Sequence, residues 1–138
     1  MSHLLDVNVL VAWGWADHAD HERVARWIGS MRAKRGVRIR TSAIPELGFV
    51  RVSVFRAKGA VSVGEAGATL QSMLRSLGKR HAFIADTRSA TQGFPNWCES
   101  AGRTTDAHLH LLAVSHGLAL ATLDTNIPGA FVIPGFSA

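Results

Sequence analysis

Short apolar runs alternate along the chain with longer stretches whose apolar residues keep helical spacing. Residues 3–5 form an apolar run closed by Asp6, and residues 7–15 continue largely apolar, which predicts a strand followed by a helix. Val24, Trp27, Ile28 and Met31 recur at i, i+3, i+4 and i+7, the stripe of an amphipathic helix that Asp17 or Asp20 can cap and Gly36 ends. Residues 37–41 alternate apolar and basic side chains, as suits a strand near a sheet edge. Ser42 can cap a third helix that tolerates Pro45 in its first turn, and its predicted core face is Leu47, Val50 and Val54, with Gly59 closing it. Ser62 followed by Glu65 is a capping box, and Leu70, Met73, Leu74 and Leu77 give the fourth helix its stripe before Gly78. Residues 81–85 read as a short strand. Residues 86–102, rich in Ser, Thr, Gly and Asn, read as loop with one helical turn. Thr104 or Thr105 caps a fifth helix with the stripe Leu109, Leu112, Ala113 and His116, ended by Gly117. Residues 118–123 and 131–133 complete the strands, with a turn at 127–129.

Short strands alternating with longer helices predict a small α/β sandwich around a mostly parallel sheet. The 138 residues fit one domain over 1–138, without repeat, low-complexity tract or linker. Sparse charge and abundant apolar residues exclude a disordered chain. No apolar run approaches the roughly 18 residues of a membrane span, and the N-terminal segment lacks the basic-then-apolar pattern of a signal peptide. A cytoplasmic location, with no membrane partner, is the default expectation. The single cysteine, Cys98, excludes an internal disulfide framework and a cysteine zinc cage, and with no basic partner evident it reads as a spectator thiol.

Four of the ten acidic residues stand among apolar or small neighbours, where a carboxylate is costly: Asp6, Glu46, Asp106 and Asp124. A buried ionised carboxylate costs several kcal/mol unless a partner compensates it. Asp6 and Asp124 fall at the C-terminal ends of predicted strands, where ligands bind in open α/β sheets. Asp106 and Glu46 fall in the first turns of helices, where the macrodipole favours an anion. All four can therefore converge at one edge of the sheet. A divalent cation compensates several carboxylates at once, and hard ions such as Mg²⁺ or Mn²⁺ prefer oxygen ligands. Such ions neutralise a phosphodiester and activate water for in-line attack, so the pattern points to metal-dependent phosphodiester cleavage. Singly, three of them have a structural reading of equal weight: Asp6 as a helix cap, Asp106 as a dipole partner, Asp124 in an Asx turn; Glu46, the lone acid of a long basic stretch, is harder to dismiss.

The net charge of +5 is unevenly placed: residues 23–64 carry ten Lys and Arg and one acid, Glu46. Arg32, Lys34, Arg35, Arg38 and Arg40 are the densest part. A basic block attracts polyanions, nucleic acid foremost, though a solvated face or an acidic protein partner fits it equally until the acids are considered. Arg51, Arg56 and Arg103 are candidate phosphate contacts. His18 and His21 have ligand spacing without a third ligand, and His110 shares a helix face with Asp106; solvated or partly buried histidines are the favoured reading. Trp27 reads as core, Trp13 and Trp15 as core or interface, and Trp97, in a polar loop, as the best exposed platform for a base.

The segments LLDVNVLVAW, TSAIPELGFVRV and TTDAHLHLLAVSHGLALATLDTN, in this order and spacing, resemble the PIN-domain nucleases, in particular the VapC-like toxins of bacterial toxin–antitoxin pairs. The resemblance covers essentially the whole chain. It implies a PIN-like three-layer α/β/α sandwich and a Mg²⁺- or Mn²⁺-dependent endoribonuclease with one or two ions per site. It puts the metal roles on Asp6, Glu46, Asp106 and Asp124: Asp6 and Asp106 as direct ligands, Glu46 and Asp124 serving a second metal or orienting water. Asn8, Thr122 and Asn126 become supporting polar residues. Val7 departs from the Thr or Ser that many members carry after the first Asp. The resemblance also implies an RNA substrate, a small cognate antitoxin and a homodimer. Two alternatives stand beside it. One is a catalytically silent PIN-like module that binds RNA or a regulator. The other is an aspartyl-phosphate phosphatase, whose chemistry wants an acid where Asn8 stands.

Overall fold

A computed structural model describes residues 1–135; residues 136–138, the end of the expected single domain, lie outside the described residues. The order is β1 (His3–Leu5), α1 (Val7–Gly14), α2 (His21–Arg32), β2 (Ile39–Thr41), α3 (Ala43–Arg56), α4 (Val63–Arg75), β3 (His81–Phe83), α5 (Thr104–Ser115), β4 (Ala119–Thr122) and β5 (Phe131–Val132). The five strands pair in the order β3-β2-β1-β4-β5, and every pairing is parallel. β2 therefore lies one strand in from the edge. No helix among the described residues is long and apolar enough to cross a membrane.

Alternation along β1 sets the layers. Leu5 joins a core with Val9, Leu10, Val24, Trp27, Ile28, Phe49 and Leu70, contributed by α1 to α4. Leu4 joins a second core with Leu109, Leu112 and Ala113 of α5 and Leu120 of β4. The sheet is thus sandwiched between α1–α4 and α5, the three-layer PIN-like arrangement. The capping box of Ser62 and Glu65 forms as expected, with reciprocal 3.0 Å bonds.

Several expectations are corrected. α3 does not bury Leu47, Val50 and Val54: Leu47 is 70% exposed, Val50 and Val54 are half-buried, and the buried residues are Pro45, Gly48, Phe49 and Ser53. α3 lies close against α1 through Gly48, Phe49 and Ser53, and that face leaves Leu47 outside and Val50 and Val54 at its border. Ser42 and Asp20 precede α3 and α2 without a side-chain capping bond. α5 follows Arg103, and the Thr104 hydroxyl donates backwards to the Ala101 carbonyl (2.8 Å) instead of capping. His116 is exposed, because α5 ends at Ser115 and His116 follows it as the cap.

Candidate active site

The carboxyl ends of β1 and β4 lie side by side, with Leu5 opposite Ala121 and the Asp6 amide donating to the Ala121 carbonyl at 3.0 Å. Asp6 is only 5% exposed and precedes α1, where its Oδ1 accepts from the Val7 amide (2.7 Å). Its Oδ2 accepts from the buried Thr122 hydroxyl at 2.7 Å. That hydroxyl has one proton, committed to Asp6, so its lone pairs accept from Asn8 Nδ2 (3.2 Å) and the Asp124 amide (3.1 Å). Asn8 Oδ1 in turn accepts from the Leu123 amide at 3.2 Å. Thr122 thus braces the first acid, and Asn8 braces Thr122. Asn126 acts through its backbone alone: its amide donates to Asp124 Oδ1 (2.7 Å), closing an Asx turn, and its carbonyl accepts from Arg103.

Charge at this edge is poorly compensated. Burial raises the proton affinity of Asp6; the bonds from Thr122 and Val7 oppose that, and repulsion from Asp106 and Asp124 adds to it. Asp106, in the first turn of α5, is raised by burial and by Asp124, against a smaller lowering from Arg103. Among the described residues none of these three acids makes an ion pair. Asp106 and Asp124 both raise Asp6, and Asp124 raises Asp106; such repulsion without an ion pair fits a divalent cation. In their present positions no three Asp, Glu, His or Cys side chains among the described residues are grouped closely enough to hold one.

Glu46 accounts for part of that gap. It stands in the first turn of α3, but its Oε2 accepts from Thr41 at 2.6 Å, and Thr41 Oγ1 lies 2.7 Å from His81 Nε2. Its carboxylate opens on a cleft of about 490 Å³ that also includes Gln71, Arg75 and His81. Asp6 and Asp106 open instead on a cleft of about 510 Å³ lined by Asn8, His18, Arg51, Arg56 and Thr105. The sheet end thus brings Asp6, Asp106 and Asp124 into mutual electrostatic contact and turns Glu46 to the neighbouring cleft.

Two of the three candidate phosphate-binding arginines, Arg51 and Arg56, line the acid cleft. Arg56 also pairs with Asp17 at 3.0 Å and lies over the Trp15 ring. Arg103 is engaged otherwise, over the Trp97 ring at 4.6 Å and on the Trp97 and Asn126 carbonyls. Trp97 is consequently no open platform: it is half-buried, packed on the α5 core and covered by Arg103, with His110 at its edge. His18 and His21 do not converge. His18 Nδ1 accepts from the Asp20 amide (3.0 Å), and His21 Nδ1 lies 2.8 Å from the Ala12 carbonyl. His18 is nonetheless in the acid cleft. Sequence spacing could not reveal that, nor the meeting of Thr41 with His81, because pairing of separate elements creates both.

No family model matches the chain. Individual relatives do. It is 34% identical to ribonuclease VapC39 of Mycobacterium tuberculosis over 127 residues, covering 90% of this chain and 89% of that protein. It is 35% identical to ribonuclease VapC38 over 126 residues, 90% and 86% of the two chains, and 37% identical to ribonuclease VapC44 over 140 residues, 94% of each, both from the same organism. Among solved structures, VapBC2 from Rickettsia felis, bound to a DNA fragment from their promoter, superposes with a TM-score of 0.55 at 16% identity, covering 95% of this chain and 96% of that one. The relatives span nearly the full length of the chain. The chain belongs to the VapC ribonuclease family.

Proposed function

We propose that this protein is the toxin of a toxin–antitoxin pair: a cytoplasmic endoribonuclease that hydrolyses RNA phosphodiester bonds with water activated by Mg²⁺ or Mn²⁺. The observation that carries the reading is Asp6, buried and braced by Thr122 beside two further acids that have no ion-pair partner. Asp6 and Asp106 would hold a divalent ion, with Asp124 and Glu46 completing the site for one or two. A bound ion supplies a water of lowered pKa and offsets charge on the phosphate.

The chain's own residues supply position. Thr122 and the Val7 amide fix both oxygens of Asp6. Arg51 and Arg56 line the same cleft and hold the phosphates flanking the scissile one. Neutral His18, its Nδ1 occupied by the Asp20 amide, carries its proton on Nε2 and can donate it to a phosphate oxygen. Arg103 offsets part of the charge on Asp106 while it ties the Trp97 loop to the Asn126 turn. A small cognate antitoxin and a second copy of the chain are the protein partners of this reading.

Asp6→Asn tests it: the amide keeps the acceptor for Val7 and removes the charge, at the loss of the oxygen that accepts from Thr122. Cleavage of RNA is expected to require Mg²⁺ or Mn²⁺, to stop on chelation, and to fall at least about 100-fold in the variant. The same substitution is expected to raise the melting temperature, since it removes a buried anion that Asp106 and Asp124 repel. Full cleavage by a folded Asp6→Asn protein would overturn the assignment. RNA binding without turnover in any divalent metal would favour the silent module.

A further inference from the structure

The cleft on which Glu46 opens has two unlike rims. On one, the Thr41 hydroxyl donates to Glu46 Oε2 at 2.6 Å, and Oε1 has no partner among the described residues. On the other, Gly67, Gln71 and Arg75 follow one another at four-residue spacing along α4, so they share one helix face. Arg75 and Gln71 have no hydrogen-bond or ion-pair partner among the described residues. Leu70 and Leu74 add apolar wall, and the space of about 490 Å³ is within the range of small-ligand sites. A carboxylate only accepts hydrogen bonds, and a guanidinium only donates them. Opposite charges that line one cleft without pairing suit a planar ligand with donors on one edge and acceptors on the next. Among nucleobases guanine has that pattern: N1–H and the N2 amino group form a donor edge, and O6 with N7 an acceptor edge that an arginine fork matches. Adenine turns the N1 lone pair toward a carboxylate, and the pyrimidines lack N7.

We propose that this cleft recognises a guanine base of the RNA substrate: Glu46 Oε1 accepts from N1–H and the N2 amino group, and Arg75 donates to O6 and N7. The inference rests on the ribonuclease reading, with the ion at Asp6, Asp106 and Asp124. The Glu46 cleft holds no second carboxylate and includes Arg75, a lining that suits a base and not a cation. Strand register puts the pocket beside the acids. His3 lies opposite Ile39 and Leu4 opposite Arg40, which carries Asp6 to the level of Ser42, the residue before α3. Neighbouring strands are about 4.8 Å apart, and Glu46 stands one helical turn beyond Ser42. A phosphate at Asp6 therefore leaves the adjoining base within reach of the cleft. Thr41 holds Glu46 to that side, and Gln71 supplies a further amide to the edge of the base.

The test is cleavage of a randomised RNA pool with Mg²⁺ or Mn²⁺ and sequencing of the cut ends, followed by kcat/KM on a short RNA of the preferred sequence. Guanine is expected at one fixed position beside the cut, favoured about 10-fold or more over adenine. In that RNA, 7-deazaguanine removes N7 and inosine removes the N2 amino group, and each is expected to lower kcat/KM about 5-fold or more. Arg75→Leu is expected to erase the 7-deazaguanine effect and to keep the inosine effect, because only the acceptor edge loses its partner. Gly67→Leu places a side chain in the cleft from a position where a β-carbon meets nothing within 4 Å, and is expected to abolish the guanine preference. A preference for another base, or an Arg75→Leu protein that still discriminates against 7-deazaguanine, would overturn the pocket. Equilibrium dialysis with guanosine and adenosine monophosphates separates the other source of the same base: retention of the guanine nucleotide by a protein whose cuts show no guanine preference would assign the cleft to a free nucleotide and overturn its role in RNA recognition. Cleavage without a guanine beside the cut overturns the pocket alone, whereas a protein that cuts no RNA overturns the ribonuclease reading itself.

Discussion

His3 and Asp6 are both buried and titratable, three residues apart at the first strand, and they serve opposite ends. On the function proposed above, Asp6 is kept at a cost in stability because a metal site needs its charge. His3, 2% exposed, packs edge-on to Trp27 and against Phe131, and its buried Nδ1 has no partner. Burial, with smaller contributions from the N-terminal amine and Lys34, lowers its pKa from 6.5 to about 4. The unfolded chain then binds this proton more tightly than the folded one between those two values. The stabilisation from a neutral His3 is fully present above pH 6.5 and is lost as pH falls toward 4. A shift of that size corresponds to about 3 kcal/mol. Urea unfolding of the wild type is expected to show this loss between pH 6.5 and 4, and His3→Phe is expected to flatten most of it; an equal slope in both proteins would assign the acid sensitivity elsewhere. At this scale the sequence is legible where chemistry conflicts with its neighbours: an acid among apolar residues announces itself. Thr41 and His81 give no such signal, since each is ordinary until β2 and β3 pair.

α3 illustrates what periodicity alone misreads. Its largest apolar residues suggest the buried face, but α3 meets α1 through Gly48, Phe49 and Ser53, with Ser53 accepting from the Trp15 indole at 3.0 Å. A β-carbon added at Gly48 would lie 2.7 Å from Val7 Cγ2, so the glycine is what lets the start of α1 approach. Gly48→Ala therefore sets a helix-propensity gain of about 1 kcal/mol against overpacking of about 1–3 kcal/mol. The overpacking dominates, because the obstructing atoms belong to a stiff β-branched residue whose amide caps onto Asp6. A lower urea midpoint and reduced cleavage are expected together. Gly29→Ala, in α2 with nothing within 4 Å of the new carbon, is the contrast, and is expected to stabilise by about 0.5–1 kcal/mol. A Gly48→Ala protein as stable as Gly29→Ala would show that α1 can yield without loss. The capping box of α4 and the stripes of α2 and α4 were readable because they are local; the α1–α3 contact was not, because it depends on which helix surfaces come closest.

Across the whole molecule the two functional signals of the sequence separate. All strands run parallel, so one end of the sheet collects their carboxyl termini and with them Asp6 and Asp124. The densest basic run lies at the other end: the Arg38 carbonyl receives the His3 amide, and the Lys34 carbonyl receives Arg80, just before β3. The cations beside the acids are Arg51 and Arg56 on α3, together with Arg103 near Asp106. A polyanion crossing the acid cleft therefore meets Arg51 and Arg56, and the run at 32–38 contributes only a distant field that salt screens over about 10 Å. Each phosphate neutralised on a single strand contributes about 0.7 to the slope of log affinity against log salt. Arg51→Gln with Arg56→Gln is expected to raise KM for RNA and to reduce that slope by about 1.4, two phosphate contacts' worth. Lys34→Gln with Arg35→Gln removes as much charge and is expected to leave the slope unchanged. KM measured across a salt series for the two double variants separates these cases: equal loss of slope in both would mean that net charge, not the cleft, captures the RNA. Loss confined to the Lys34 and Arg35 variant would place the RNA at the far end of the sheet.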